Sequence, residues 1–348
     1  MVDIKYSLDD IGIVPASTSI INSRNECNPY HGDMLPLFTS PMSSVVSLKN
    51  YKLFKENKIN PIIPRNIYFG KRIELCSEVW CAFSLDEFDT IINMDTVIDE
   101  KIYVLIDIAN GNMLKLRNLI TKAKDKYKDK IVIMAGNIAN PNTYESLSNA
   151  GADYVRLSIG SGSVCSTARN TGIFYPMASL ISECFEASYR LDKPAKIIAD
   201  GGIKGSADII KSLALGADYV MCGSIFNVML ESAGKTYAEG DLDMKFPLNQ
   251  YTDSIKSGFL NGNRFTKEYY GMSTEKAQLE LGAKVLKTSE GIETSNYVEY
   301  TINGWVNEFT DFLKSAMSYT SAVDLYDFIG VVETIVISNN SSNRFSKY

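Results

Sequence analysis

The sequence predicts a single α/β domain, a (β/α)8 (TIM) barrel, on the strength of three observations. Short apolar runs rich in β-formers recur along the chain, amphipathic stretches at helical spacing separate them, and the runs are eight in number. Strands that are apolar almost throughout are typical of a parallel sheet covered on both faces, and eight of them favour a closed barrel over an open sheet. The barrel domain is predicted for residues 1–338, and a flexible polar tail for 339–348.

The predicted barrel strands are LPLFTS (35–40), NPIIP (60–64), EVWCAF (78–83), IYVLID (102–107), IVIMAG (131–136), DYVRLS (153–158), KIIAD (196–200) and DYVMCG (218–223). The pentapeptide GADYV occurs at 151–155 and again at 216–220, and each copy would end a helix at its glycine and then begin a strand. The two copies therefore predict alternate strands of the barrel. The interval between the second and third strands leaves no room for an inserted domain, and residues 303–328 predict an amphipathic helical closing segment.

The composition excludes several classes of function. The net charge is −6, and Lys and Arg are scattered along the sequence, so no basic patch for binding a long nucleic acid is predicted. No apolar run is long enough to span a bilayer, and the N-terminal MVDIKYSLDDIG lacks the basic and then apolar pattern of a signal peptide. The sequence therefore predicts a cytoplasmic protein with no membrane or nucleic-acid partner, and it leaves open a small anionic ligand.

A zinc site and a Ser–His or Cys–His catalytic pair are not predicted. Six cysteines, at positions 27, 76, 81, 165, 184 and 222, show no C-x-x-C pair and no disulfide-framework spacing. The one histidine, His31, lies in the turn-like NPYHGD. Proton transfer in this protein must therefore use other residue types.

Two loops resemble phosphate holders. In such a barrel, ligand and catalytic groups gather on the loops that leave the carboxyl ends of the strands. DGG (200–202) and GS (223–224) follow the seventh and eighth predicted strands, the pair that commonly forms a phosphate site. Glycine lets backbone N–H groups approach phosphate oxygens. Asp200 would repel an anion but could accept hydrogen bonds from a diol such as ribose, so the two loops together predict a nucleotide.

The loop after the sixth strand, IGSGSVCST (159–167), admits two interpretations. Cys165 is either a small apolar filler, as free cysteines usually are, or a nucleophile. The polar Gly/Ser surroundings favour the nucleophile, because exposed N–H groups stabilise a thiolate, and Thr167 could then share a proton with substrate or water. A P-loop at AGKTY (233–237) is excluded because Met229 stands where its first glycine is needed, and GSGSVC lacks the third glycine of a dinucleotide fingerprint.

Several of these segments resemble one known family. IGSGSVCST, MAGNIA (134–139), IADGGIKGSADIIKSLALGADYVMCGS (198–224) and YYGMSTE (269–275) are similar to the IMP dehydrogenase and GMP reductase family. The resemblance runs from YSLDDIGIVPAS (6–17) and LPLFTSPMSSV (35–45) to GM at 271–272. It implies a (β/α)8 barrel that binds a purine 5′-monophosphate, and a loop cysteine that attacks C2 of the base to give a covalent thioimidate.

The resemblance also implies roles by position. Cys165 would be the nucleophile, and Thr167 and Glu275 would manage protons. The positions matching nucleotide contacts are Ser40, Met42, Asn137, Arg156, Ser163, Asp200, Gly201, Gly202, Gly223, Ser224, Tyr270, Gly271, Met272 and Ser273. Those expected near the NADPH cofactor or the leaving amine are Asp107, Ala109, Asn110 and Gly111. The dehydrogenase also holds K+ through carbonyls of the cysteine loop, here those of Gly160, Gly162 and Cys165, and homotetramers are usual in the family.

The motifs divide between the two enzymes. SPM (40–42), GSGS (160–163) and Ser224 resemble the dehydrogenase, whereas IDIANG (106–111), GMSTEKA (271–277) and SEG (289–291) resemble the reductase. The interval between Met272 and NGW (303–305) is too short for the dehydrogenase's mobile flap and contains no Arg. The inserted CBS domains of many dehydrogenases are missing as well. Three positions depart from the family pattern, namely Ser43, Ser161 and Ala168.

The leading hypothesis is an NADPH-dependent GMP reductase that deaminates GMP to IMP and ammonia. The alternatives are a flapless IMP dehydrogenase that converts IMP to XMP with NAD, and a related oxidoreductase for a deoxy- or modified purine nucleotide. A nucleotide-binding protein without turnover is a third possibility, against which the presence of Cys165, Thr167 and Glu275 counts.

Overall fold

The computed structural model describes residues 3–94, 98–239, 245–248 and 253–345. A parallel sheet of eight strands forms its centre: β2 (Leu37–Thr39), β3 (Ile62–Ile63), β4 (Trp80–Phe83), β5 (Ile102–Asp107), β6 (Ile131–Ile138), β7 (Tyr154–Leu157), β8 (Lys196–Asp200) and β9 (Tyr219–Cys222). Each of the eight predicted strands is confirmed. The order is β2-β9-β8-β7-β6-β5-β4-β3, and β1 (Ile11–Ile13) lies outside this sheet.

The sheet closes into a barrel between β2 and β3. Asn60, just before β3, donates its backbone N–H to the carbonyl of Leu37 and accepts from the N–H of Thr39, each at 3.0 Å. The predicted (β/α)8 barrel is therefore confirmed. Because β2 and β9 are neighbours, the loops that follow β7, β8, β9 and β2 lie side by side at one end of the barrel.

The repeated GADYV has the predicted role. Its two copies lead into β7 and β9, which are separated in the sheet by β8. Gly151 and Gly216 have φ of +98° and +112°, a conformation that side chains with a β-carbon rarely adopt. Each glycine ends a helix and turns the chain into the next strand. The repeat therefore reflects the alternation of helices and strands in the barrel.

Helices cover the outside of the barrel. They are α1 (Tyr51–Glu56), α2 (Phe69–Leu75), α3 (Leu85–Asn93), α4 (Leu114–Tyr127), α5 (Pro141–Asn149), α6 (Thr167–Thr171), α7 (Met177–Ser188), α8 (Ser206–Ala214), α9 (Ser224–Asn227), α10 (Asp253–Leu260), α11 (Glu275–Glu280), α12 (Ile302–Tyr319), α13 (Leu325–Phe328) and α14 (Asn339–Phe345). The predicted closing segment is α12, whose buried face includes Trp305, Phe309 and Leu313.

The barrel interior is filled with aromatic side chains. Phe38, Trp80, Tyr154 and Tyr219 pack edge-to-face or tilted against one another at centroid distances of 5.1–6.1 Å. The His31 ring packs at a tilt against Tyr219 and places Nε2 2.9 Å from the carbonyl of Asp218, at the amino end of β9. The single histidine is thus at the opposite end of the barrel from the loops expected to carry chemistry.

Two further sheets were not predicted from the sequence. One is antiparallel, in the order β11-β10-β12-β13, and consists of β10 (Thr236–Glu239), β11 (Lys245–Leu248), β12 (Phe265–Tyr270) and β13 (Glu293–Tyr297). The other pairs β1 with β14 (Thr334–Val336) and so joins regions near the two ends of the chain.

The polar segment 339–348 contains α14 over its first seven residues, and the flexibility expected of this segment stays a prediction. Residues 346–348 lie outside the described part of the chain. None of the helices described has the length and hydropathy that crossing a membrane requires.

Candidate active site

One cysteine differs from the rest in its surroundings. Cys165 is exposed, whereas the other five are buried free thiols. Loss of water around the thiol on burial is the largest influence on the pKa of all five, and it raises each of them. The pKa of Cys76 rises to about 11, and those of Cys27, Cys81, Cys184 and Cys222 are raised as well. The five buried thiols stay protonated near neutral pH, so Cys165 is the thiol available for chemistry.

A chain of hydrogen bonds leads away from Cys165. Its thiol donates to Thr167 Oγ1 at 3.3 Å, and the Thr167 hydroxyl donates to Glu290 Oε2 at 2.5 Å. A proton can therefore pass from sulfur through a hydroxyl to a carboxylate. The arrangement has the elements of an activated nucleophile, namely an attacking atom and a base that a third group connects to it.

Local backbone geometry places these groups. Gly160 has φ +80°, and a β-carbon there would lie 2.7 Å from Ala168 Cβ, so the glycine lets the loop fold back on the start of α6. Thr167 is the first residue of α6. The backbone N–H of Ser166 donates to the carbonyl of Glu290 at 2.7 Å, and the N–H of Ile292 donates to that of Val164 at 3.1 Å. The cysteine loop and residues 290–292 thus pair like two short antiparallel strands.

Glu275 lies elsewhere. It is exposed at the start of α11 and, among the described residues, makes no hydrogen bond or ion pair with Cys165 or Thr167. The carboxylate on Thr167 is that of Glu290, in the SEG segment that resembles the reductase. Sequence reasoning used this segment to compare the two enzymes but gave its glutamate no role, because spacing alone does not show which of two distant carboxylates reaches the loop.

A second group of predicted residues meets at the ends of β6, β7 and β8. Asp200 Oδ2 accepts from Asn137 Nδ2 at 2.7 Å and from Arg156 Nε and Nη2 at 3.1 and 2.8 Å. Arg156 also donates to Asp107 Oδ1 at 2.8 Å. In the described residues the three bonds to Asp200 all go to its Oδ2, which leaves Oδ1 open to a ligand.

Arg156 carries a stable positive charge in this group. Burial is the largest single influence and on its own would lower the pKa of the guanidinium. The charges and hydrogen bonds of Asp200 and Asp107 together exceed it, so the pKa of Arg156 is raised. Arg156 fits beside β6 because Gly136 has no side chain, since a β-carbon there would lie 2.6 Å from the Arg156 carbonyl. The β6–β7 register shifts between Ala135 and Ile138, the point at which Asn137 turns toward Asp200.

A third group of side chains lies close around Gly223. A β-carbon on this residue would lie 2.7 Å from the Tyr269 hydroxyl, 3.2 Å from Ser40 Oγ and 3.3 Å from Met42 Sδ. Ser224, next in the chain, begins α9. Loops after β2 and β9 and the end of β12 therefore converge here, as expected for a small polar cradle.

Tyr269 was not singled out from the sequence. Burial raises its pKa to about 12, and its hydroxyl contacts Ser163 of the cysteine loop. The predicted residue, Tyr270, instead contacts Ser43 and Glu280 through its hydroxyl. Alternation along a strand sends neighbouring side chains to opposite faces, so only one tyrosine of YYGM can face the cradle. The motif itself did not show which.

The remaining predicted residues line the same end of the barrel. Gly201 and Gly202 pack on the cysteine loop, with ideal β-carbon positions 3.2 Å from the Gly162 nitrogen and 3.4 Å from Ser161. Gly271 donates its N–H to the carbonyl of Ile292 at 3.3 Å. Met272 is partly buried against the main core, and the carbonyl of the exposed Ser273 accepts from the side chain of Gln278.

The residues expected near a cofactor follow β5. Ala109 and Asn110 are exposed, and Gly111 donates its N–H to the carbonyl of Asn137 at 2.8 Å. Asp107 Oδ1 forms an ion pair with Arg156 Nη1, and Asp107 Oδ2 lies 3.7 Å from Arg65 Nη1. The open, polar surface at 109–110 is compatible with a bound cofactor, whereas Asp107 serves to hold Arg156.

The expected K+ ligands are main-chain carbonyls. The Gly162 carbonyl accepts from the Cys165 N–H at 3.0 Å, and a carbonyl oxygen keeps a second lone pair for a cation. In the described part of the chain no group of three or more His, Cys, Asp or Glu side chains is arranged to hold a metal ion.

The fold and this site define a barrel enzyme with an exposed loop thiol and clusters of polar side chains at the carboxyl ends of its strands. The model of the IMP dehydrogenase / GMP reductase domain matches residues 79–345, and the chain belongs to this family. A GMP reductase of Mycoplasma mycoides is 29% identical over 92% of this chain and 94% of its own length. GMP reductases of Aliivibrio fischeri and Onchocerca volvulus are 28% and 26% identical over 90% and 93% of this chain, and 86% of their own lengths. These relatives are oxidoreductases, which implies a nicotinamide cofactor.

Proposed function

We propose that this protein is a GMP reductase that converts GMP, NADPH and two protons to IMP, NADP+ and ammonium. The hydrogen-bonded chain Cys165–Thr167–Glu290 is the observation that carries the proposal. It joins a nucleophile to a carboxylate that can store and return one proton, which deamination requires. The similarity to GMP reductases over most of the chain supports the same assignment.

The substrate would be held by three groups of residues. Backbone N–H groups at Gly201–Gly202 and Gly223–Ser224 would bind the phosphate, with the hydroxyls of Ser40 and Tyr269 beside Gly223. The open Oδ1 of Asp200 would accept from the ribose, and Met42 and Met272 would contact the base. Arg156 would act indirectly by holding the Asp200 carboxylate in its orientation.

In the proposed mechanism, Cys165 sulfur attacks C2 of guanine while its proton moves through Thr167 to Glu290. The same path returns a proton to the amine at C2, because a neutral leaving group departs more easily than an amide anion. Loss of ammonia leaves Cys165 bonded to C2 as a thioimidate. The reduced nicotinamide, when bound, supplies the hydride that replaces sulfur at C2. Cys165 then leaves as a thiolate, and the thiolate and the ammonia each take up one proton from solvent. We place its binding region at Ala109, Asn110 and Gly111.

A flapless IMP dehydrogenase is the second candidate, and Ser40–Met42 and Gly160–Ser163 are the segments that favour it. It would need a water activated beside Cys165. Residues 290–292 pair with the cysteine loop where such a water would need room, and Thr167 already donates to Glu290. These contacts favour the reductase. A related oxidoreductase acting on a deoxy- or modified purine nucleotide would use the same residues.

Two parallel mixtures test the proposal. GMP with NADPH should lose the absorbance of the reduced nicotinamide, and IMP with NAD should gain none. Cys165→Ala should abolish turnover and retain nucleotide binding, measured by calorimetry with GMP. The opposite absorbance pattern would assign the protein to the dehydrogenase, and turnover by the alanine variant would rule out the covalent mechanism. Binding of GMP without turnover in the wild type would indicate a nucleotide-binding protein instead.

We also propose a cytoplasmic homotetramer, and K+ bound by the carbonyls of Gly160, Gly162 and Cys165. Replacing K+ with Na+ in the same assay tests the cation, because K+, the larger of the two ions, is the one expected to fit between the carbonyl oxygens. Sedimentation of the pure protein tests the tetramer.

A further inference from the structure

Glu290 lies on a segment that cannot place it unaided. Residues 281–292, the crossing segment, run from the end of α11 to the cysteine loop and form neither helix nor strand before the isolated pairing at Gly291. Glu290 and most of its neighbours there are exposed. The location of its carboxylate must therefore depend on what anchors each end of the segment.

Gln278 connects α11 to the crossing segment. Its Nε2 donates to the carbonyl of Lys287 at 3.0 Å, and its Oε1 accepts from the N–H of Lys287 at 2.7 Å. This two-way contact fixes the chain three residues before Glu290. Any displacement of the last turn of α11 would be transmitted to Lys287 and from there to Glu290.

Side chains in both turns of α11 hold the helix in place. In the first turn, Lys276 forms an ion pair with Glu268 of β12. In the last turn, Glu280 accepts from the Ser43 hydroxyl at 2.7 Å and from the Tyr270 hydroxyl at 2.8 Å, and those two hydroxyls are 3.0 Å apart. Glu280 thus joins three elements, namely α11, the loop after β2 and the end of β12.

The chemistry of this contact favours a lasting connection. Burial acts most strongly on Tyr270 and raises the pKa of its phenol, and the neighbouring Glu280 raises it further. Tyr270 therefore stays protonated and donates to Glu280 throughout the neutral range. Hydrogen bonds to an ionised acceptor are roughly twice as strong as neutral ones.

We propose that Glu280 is a positioning residue, which fixes the last turn of α11 on Ser43 and Tyr270 so that the crossing segment brings Glu290 to Thr167. The link runs from Ser43 and Tyr270 through Glu280, then Gln278 and Lys287, to Glu290. The effect of this link on catalysis rests on the proposed function, whereas its effect on the position of the crossing segment does not.

Hydrogen exchange tests the structural consequence without turnover. In Glu280→Ala, peptides covering 163–170 and 285–297 should exchange at least about threefold faster, because the N–H bonds of Ser166 and Ile292 open more often. Gln278→Ala should change the same two regions, since it breaks the other half of the link. Lys284→Ala is the matched control: its side chain is exposed in the same segment and makes no hydrogen bond or ion pair with a described residue.

Kinetics test the catalytic consequence. In Glu280→Ala, kcat should fall about tenfold while KM for GMP changes less than about threefold, as expected when a proton-transfer group is misplaced but the nucleotide contacts persist. Thermal melting of each variant shows whether the barrel itself is weakened.

Unchanged exchange in both regions would overturn the proposal, and so would faster exchange spread evenly over the barrel strands. A rise in KM with unchanged kcat would also overturn it, because Glu280 would then act on the nucleotide site. If the wild type fails to reduce GMP, the proposed function is wrong, but the local exchange pattern still decides whether Glu280 holds the crossing segment.

Discussion

Two glutamates on the part of the chain after β12 differ in what they contact. Glu290 accepts from Thr167 at 2.5 Å, whereas Glu275 is exposed at the start of α11, where a carboxylate is favoured by the helix dipole alone. The residue types and the resemblance led to the expectation of a thiol, a threonine and a carboxylate, and the structure joins three such groups by hydrogen bonds. They could not select the carboxylate, because loop closure over more than a hundred residues depends on tertiary packing.

The two glutamates can be separated by matched substitutions. Glu290→Gln keeps the shape of the side chain but removes the proton acceptor, so kcat for GMP should fall by about 10²–10⁴-fold. Glu275→Gln should lower kcat far less. Steady-state assays with saturating NADPH compare the two variants, and a larger loss in Glu275→Gln would restore the assignment made from sequence position.

At the scale of elements, the end of β12 fits closely against the cysteine loop. A β-carbon on Gly271 would lie 2.8 Å from the carbonyl of Val164, an atom of the backbone that cannot move without shifting Cys165. Gly205 offers a contrast, because nothing lies within 4 Å of its ideal β-carbon and its φ of −171° is ordinary extended backbone.

Gly271→Ala should therefore lower kcat/KM by about a hundredfold, since a displacement of about 1 Å can cost that much. Gly205→Ala should leave the same constant unchanged. Both are measured by the GMP reductase assay with circular dichroism as a check on folding. Equal activity of the two variants would mean that the cysteine loop yields to the extra methyl group.

The sequence was informative about some elements and silent on others. Every barrel strand was predicted, because buried parallel strands are apolar runs bounded by polar loops. The antiparallel sheet was not: β13 reads ETSNY and is mostly exposed, so it lacks an apolar pattern. The same interval is predicted to be too short for a flap, and its length alone could not show that it pairs with the cysteine loop.

At the scale of the whole molecule, one buried lysine affects stability. Lys267 in β12 is 2% exposed, and its Nζ donates to the carbonyl of Ser232 at 2.7 Å and to Thr236 Oγ1 at 2.8 Å. Burial lowers its pKa to about 7, although Glu231 acts in the opposite direction. A neutral amine has two N–H donors, and both have partners here.

This lysine predicts a pH dependence of the free energy of unfolding. Its pKa is 10.5 when unfolded and about 7 when folded, so between these values the unfolded state binds more protons and stability rises with pH. The slope is at most about 1.4 kcal/mol per pH unit. The buried cysteines act oppositely once unfolded thiols ionise, so the clearest window is about pH 7 to about pH 8.5.

Urea unfolding at the two ends of this window measures the effect. Lys267→Met should abolish the rise in the free energy of unfolding, whatever its effect on the absolute stability. Lys284→Ala should retain the rise. If the rise persists in Lys267→Met, another group is its source.

The pairing of Thr167 with Glu290 also bears on how the protein is made. During synthesis Thr167 leaves the ribosome 123 residues before Glu290, an interval of about 6 to 25 s at about 5–20 residues per second. The eight barrel strands end at Cys222, so all of them are synthesised well within this time. A nascent chain that ends before Glu290 would carry the Cys165 thiol with no carboxylate to take its proton. The proposed proton path would thus be completed only after every strand of the barrel has been made.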